Sequence, residues 1–152
     1  MFRMKPWGLA VAGATVSLLA ALVLAQAQKD PRAGENLLRL RNLGKAFYEN
    51  PTTQLQAVEQ FRQARALNAG SLTDRLNYGL ALLRAGQGKE AMAELEAVQK
   101  ADPKIPHTWF NLGIEYKRLG EAQKAIEQLE RMASLVPDEP ITQYNLGVLY
   151  KA

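Results

Sequence analysis

Apolar residues in the C-terminal part of the chain recur at three- and four-residue intervals, the signature of one buried helical face. Between residues 109 and 119 they are Trp109, Leu112 and Tyr116. After Gly120 the pattern resumes with Ala125, Ile126, Leu129, Met132 and Ala133, which predicts a second amphipathic helix. Gly120 stands where a helix end can turn left-handed, and Gly86 has the same place one unit earlier. Pro103 and Pro137 are each followed by another proline, Pro106 and Pro140. The first of each pair ends a helix and the second opens the next, because proline lacks the N–H that a helix interior requires.

The helix pairs repeat. Asn77, Tyr78 and Gly79 are followed 34 residues later by Asn111, Leu112 and Gly113, and after another 34 by Asn145, Leu146 and Gly147. Asn42, Leu43 and Gly44 precede the first of these by 35. A glycine inside a helix costs about 1 kcal/mol relative to alanine. The recurrence of Gly44, Gly79, Gly113 and Gly147 therefore predicts a compensating close approach of two helices, at these glycines and at Ala57, Ala91 and Ala125. A lone pair of helices cannot cover its own apolar face, so successive pairs must stack.

Trp109, Leu112, Gly113, Tyr116, Ala125 and Pro137 resemble the tetratricopeptide repeat, whose pattern is W-x2-L-G-x2-Y followed by Ala, Phe and Pro. Leu129 occupies the Phe position. The preceding unit keeps Gly79, Ala91 and Pro103 but has Arg75 for Trp and Leu82 for Tyr. The first offers Leu40, Leu43, Gly44, Phe47, Ala57, Phe61 and Ala64. The resemblance implies an all-α, right-handed solenoid of antiparallel helix pairs, about three and a half units over residues 36–152: 36–70, 71–105, 106–139 and an incomplete 140–152. The last unit has only its first helix, which suggests a fragment and predicts that Leu146, Leu149 and Tyr150 lack a partner.

The resemblance also implies a function, since the first helix of each unit in this family lines a concave surface that holds a peptide. The matching positions are Arg41 and Lys45; Leu76, Asn77, Leu80 and Arg84; Phe110, Asn111, Ile114, Lys117 and Arg118; and Tyr144, Asn145 and Val148. Asn42 and the other repeated asparagines would face the same side and bond a peptide backbone. The set of Lys, Asn and Arg with which some members clamp a terminal carboxylate is not reproduced. Its positions hold Arg41, Lys45, Asn77, His107 and Asn111 in one alignment and Leu76, Leu80, Asn111, Ile141 and Asn145 in the other.

The chain opens differently. Arg3 and Lys5 precede an apolar run over residues 7–25, and Gln26, Gln28, Lys29 and Asp30 follow. Residues 1–27 read as a signal peptide or membrane anchor and 28–35 as a linker. Ala25, Gln26 and Ala27 fit a small-x-small cleavage site, while the run is also long enough to span a bilayer. Both outcomes place the repeats outside the cytoplasm, in a periplasm or beyond.

Arg3 and Lys5 supply two of the four excess positive charges, and the acidic residues of the remainder are interspersed with its basic ones. That distribution argues against a nucleic-acid partner. With no cysteine and a single histidine, His107, the sequence offers no thiolate metal site, disulfide or Ser-His-Asp set. Glu90, Glu94 and Glu96 read as a solvated helix face. The expectation is a non-enzymatic scaffold with no cofactor or metal, binding a protein or peptide and touching a membrane only through an uncleaved N-terminal segment. An accessory region of a larger exported protein is the alternative. The Asn-Leu-Gly and Leu-Val-Pro-Asp-Glu-Pro phrases resemble bacterial exported proteins that join such repeats to FG-GAP-type propeller domains.

Overall fold

The computed structural model describes residues 31–151. The expected signal or anchor over residues 1–27, and the first residues of the expected linker, lie outside them. Seven helices occur among the described residues, and no strand: α1 (Pro31–Glu49), α2 (Gln54–Leu67), α3 (Leu72–Arg84), α4 (Gly88–Ala101), α5 (Pro106–Arg118), α6 (Ala122–Leu135) and α7 (Pro140–Leu149). None is long and apolar enough to cross a membrane. Helix α1 begins within the stretch expected as a linker, five residues before the position assigned to the first unit.

The chain divides into two compact units, Met1–Arg39 and Leu40–Ala152. Within the described part of the first, the Arg39 guanidinium donates to the Asn36 side chain at 2.8 Å and Leu38 is exposed. The second contains the stacked pairs, an α-solenoid. The three-residue turns at 85–87 and 119–121 fold α4 back on α3 and α6 back on α5. Gly86 and Gly120 have φ of 76° and 77°, a left-handed conformation that a side chain would strain. Pro106 and Pro140 occupy the first turns of α5 and α7, where a missing N–H removes no helical bond.

Within each pair the second helix drives a bulky side chain onto the glycine of the first. A Cβ added at Gly44 would stand 2.8 Å from the Phe61 ring, at Gly79 3.1 Å from Leu95, and at Gly113 2.7 Å from Leu129. The close approach expected at the glycines is thus present, but Phe61, Leu95 and Leu129 fill it rather than Ala57, Ala91 and Ala125. Each bulky residue lies four positions after its alanine, one turn along the same face. The alanines are buried beside them. Leu40, Ala64, Tyr78, Ala81, Leu82, Val98, Leu112, Met132 and Leu146 are buried with them.

Polar contacts tie the pairs together. Glu94 of α4 meets Arg65 of α2 at 3.0 Å and Arg75 of α3 at 3.3 Å, and Gln99 of α4 donates to Gln128 of α6 at 2.8 Å. Glu94 is therefore a partly buried link rather than part of a solvated face. Glu90 accepts from the Tyr78 hydroxyl and Glu96 from that of Tyr116. Together, burial and Glu90 push the Tyr78 hydroxyl up to about 12. In α7, Leu146 is buried despite the expectation that it would lack a partner, because α7 packs on α6; Tyr150 is 60% exposed.

The glycine contacts generate a paired expectation. Gly113→Ala presses against fully buried Leu129 and should destabilise by about 1–3 kcal/mol. Gly147→Ala meets nothing within 4 Å. It should stabilise, by up to about 1 kcal/mol through helix propensity. Urea unfolding of both variants, followed by circular dichroism, would refute this packing account if the two shifts had the same sign.

Candidate functional site

Helices α1 and α3, the first helices of adjacent pairs, contribute most of the lining of a cleft of about 650 Å³. Its apolar surface comes from Tyr48, Phe61 and Leu80, and its polar surface includes Arg41, Asn42, Lys45, Glu49, Thr73 and Asn77. Four residues expected on the partner-binding face, Arg41, Lys45, Asn77 and Leu80, meet here. Arg84 lies beyond the lining, with its guanidinium 4.8 Å from the centre of the Tyr48 ring, within cation–π range.

One side of this cleft is fixed by an ion pair. The Arg41 guanidinium donates from Nε to Asp74 Oδ1 at 2.7 Å and from Nη2 to Oδ2 at 2.6 Å. Asp74 is fully buried and also accepts from the Asn68 amide at 3.0 Å, while its backbone N–H donates to Ser71 Oγ, which caps α3. Burial pushes the Asp74 carboxyl up. The hydrogen bond from Arg41, with smaller contributions from Ser71 and Asn68, outweighs it and holds the group below its ordinary value. Arg41 was expected to offer its charge to a partner, but two of its donors are committed to Asp74.

The remaining expected residues do not share this cleft's lining. Leu76 and Ile114 are half-buried on α3 and α5. Phe110 lines a second, apolar cleft of about 330 Å³ with His107, Met132, Val136 and Ile141. The Asn111 amide donates to the His107 carbonyl of its own helix at 2.7 Å. Lys117 donates to Asn145 at 2.8 Å, and Asn145 donates to the Ile141 carbonyl at 2.8 Å. Asn145 is buried, so both of these side chains join α5 to α7 instead of facing a peptide freely. Arg118 pairs with Glu115 at 2.5 Å and lines a third cleft with Lys89, Met92 and Glu96 of α4. Tyr144 and Val148 are exposed, Tyr144 at 70%.

Sequence reasoning missed Asp74, Tyr48 and Glu49. The signal for Asp74 was present: it shares its register with Thr108 and Thr142, at successive 34-residue steps, and both are buried. A carboxylate at a buried position that later units fill with threonine calls for a counter-charge.

Residues 106–138 match the family model described as tetratricopeptide repeat. That segment is a tetratricopeptide repeat. Solved tetratricopeptide structures share the fold more widely. The TPR domain of Arabidopsis OM64 aligns with a TM-score of 0.72 at 19% identity, over 78% of this chain and 98% of that one. The second TPR domain of human RPAP3, in complex with the HSP70 peptide SGPTIEEVD, aligns at 0.69 and 17% identity, over 79% and 99%. MamA aligns at 0.69 and 24% identity, over 82% and 73%. No curated protein matches the chain.

The Asp74 pair carries a pH signature. The folded-state value lies below the unfolded one, so the pair's contribution is complete above about pH 4 and is lost as pH falls through the folded-state value. Asp74→Asn should cost about 1–3 kcal/mol near neutrality, less than a wholly buried pair because Arg41 is partly exposed. Its unfolding free energy should also fall less than the parent's between about pH 6 and pH 2.5. Parallel pH dependences in urea titrations would contradict this assignment.

Proposed function

We propose that this protein is a non-catalytic interaction scaffold, and that the cleft between α1 and α3 holds an extended peptide segment of a partner protein. The supporting observation is the combination in one cleft of apolar Tyr48 and Leu80 with the Lys45 ammonium and the Asn42 and Asn77 amides. None of these three polar side chains makes a hydrogen bond or ion pair with a described residue. Carboxamides hydrogen-bond to an extended backbone, while the apolar wall accepts alternate side chains. The RPAP3 domain, solved with its peptide, shows that the shared architecture supports such a role in another protein.

The scaffold is exported or anchored with its repeats outside the cytoplasm. This part of the proposal rests on Arg3 and Lys5 preceding the apolar run over residues 7–25. A second reading, in which the repeats pack on another domain of a larger exported protein, is favoured by α7. There Ile141 and Tyr144, and Tyr150 directly after its end, are each more than half exposed.

Peptides selected from a random display library on the full chain would test the cleft. Asn77→Ala combined with Leu80→Glu should weaken the best binder by about tenfold or more in an anisotropy titration. Unchanged affinity would place binding elsewhere. Export has a separate test, N-terminal sequencing of the chain recovered after expression in a bacterium. A mature terminus at Gln28, or an intact chain in the membrane fraction with protease-accessible repeats, fits the proposal; an intact soluble cytoplasmic chain opposes it.

A further inference from the structure

Lys45 and Glu49 line the same cleft four residues apart on α1, and neither makes an ion pair or hydrogen bond with any described residue. Lysine preceding glutamate is the weaker orientation for an i,i+4 pair on a helix, which disfavours their closing on each other. The neighbouring charges are already engaged. Arg41 is neutralised by buried Asp74, and Arg84 rests against the Tyr48 ring. The cleft thus presents one uncommitted cation and one uncommitted anion.

Their spacing has a natural complement. Four helical residues rise about 6 Å along the axis. An extended chain returns to the same side every second residue, after about 6.6–6.8 Å. These lengths agree within the reach of flexible side chains. Two residues on one side of an extended segment can therefore meet Lys45 and Glu49 together, while the residue between them points away. A segment with two carboxylates would set one against Glu49, and a segment with two cations would set one against Lys45.

We infer that the cleft selects an extended partner segment bearing one acidic and one basic side chain two residues apart, the carboxylate on Lys45 and the cation on Glu49. The inference rests on the peptide-binding reading above and adds a charge pattern to it.

Four end-capped, fluorescein-labelled peptides test it, identical except for Glu-Leu-Lys, Glu-Leu-Glu, Lys-Leu-Lys or Gln-Leu-Gln at their centre. In anisotropy titrations on the full chain at low salt, Glu-Leu-Lys should bind about three- to tenfold more tightly than the other three. That advantage should shrink in about 0.5 M salt. Glu49→Lys should transfer the preference to Glu-Leu-Glu, and Lys45→Glu to Lys-Leu-Lys. Both substitutions are at exposed positions, and an unchanged circular dichroism spectrum would confirm that the fold persists. Equal binding of the four peptides, or tightest binding of Glu-Leu-Glu by the parent chain, overturns the charge pattern and leaves peptide binding standing. If no peptide of the four binds and the display library also yields no binder, both readings fall.

Discussion

Three contacts set the geometry of the stacked pairs: Phe61 over Gly44, Leu95 over Gly79 and Leu129 over Gly113. In each, a side chain of the second helix reaches the bare backbone of the first, closer than a Cβ would permit without displacement. The helical cost of each glycine is offset by dispersion contacts along the crossing and by the apolar area that the closer approach buries. Once the crossing is fixed, the short turns at Gly86 and Gly120 have a defined path. The first helices are then held at a spacing that leaves a cleft between α1 and α3.

Much of this geometry was legible because it is periodic. The 34-residue recurrence of Gly79, Gly113 and Gly147, and the prolines at 103, 106, 137 and 140, located helix pairs without reference to any contact. What periodicity did not resolve was which residue of the second helix touches the glycine. Ala125 and Leu129 lie on one face a turn apart, and only the crossing angle chooses between them. The helical start at Pro31 was also missed, since residues 31–35 contain no repeat-consensus position to mark it.

The residues of the candidate site were less legible, for a different reason. A family position gives the side of a helix, whereas availability depends on what else lies within hydrogen-bonding reach. Arg41, Lys117 and Asn145 all occupy expected positions, yet Arg41 is held by Asp74, and Lys117 and Asn145 by each other. Their partners lie 33 and 28 residues away, about one repeat, so each bond joins neighbouring units. Polar side chains at this face thus divide between holding the solenoid together and facing outward. A single sequence does not display that division.

Asp74 illustrates how a periodic scaffold acquires a local character. Its register is filled by threonine in the later units, by Thr108, bonded to the carbonyl of Ile105, in the third and by Thr142 in the fourth. Placing a carboxylate there calls for a cation, and Arg41, on the first helix of the preceding unit, supplies it through a two-pronged contact. A consequence reaches the cleft: its nearest strong charge is cancelled within the fold itself. Lys45 and Glu49, one and two turns further along α1, are left to set the local electrostatic pattern. Changes at one buried position can therefore alter what the surface offers without disturbing the glycine crossings, because the ion pair joins adjacent units while those crossings lie within each unit.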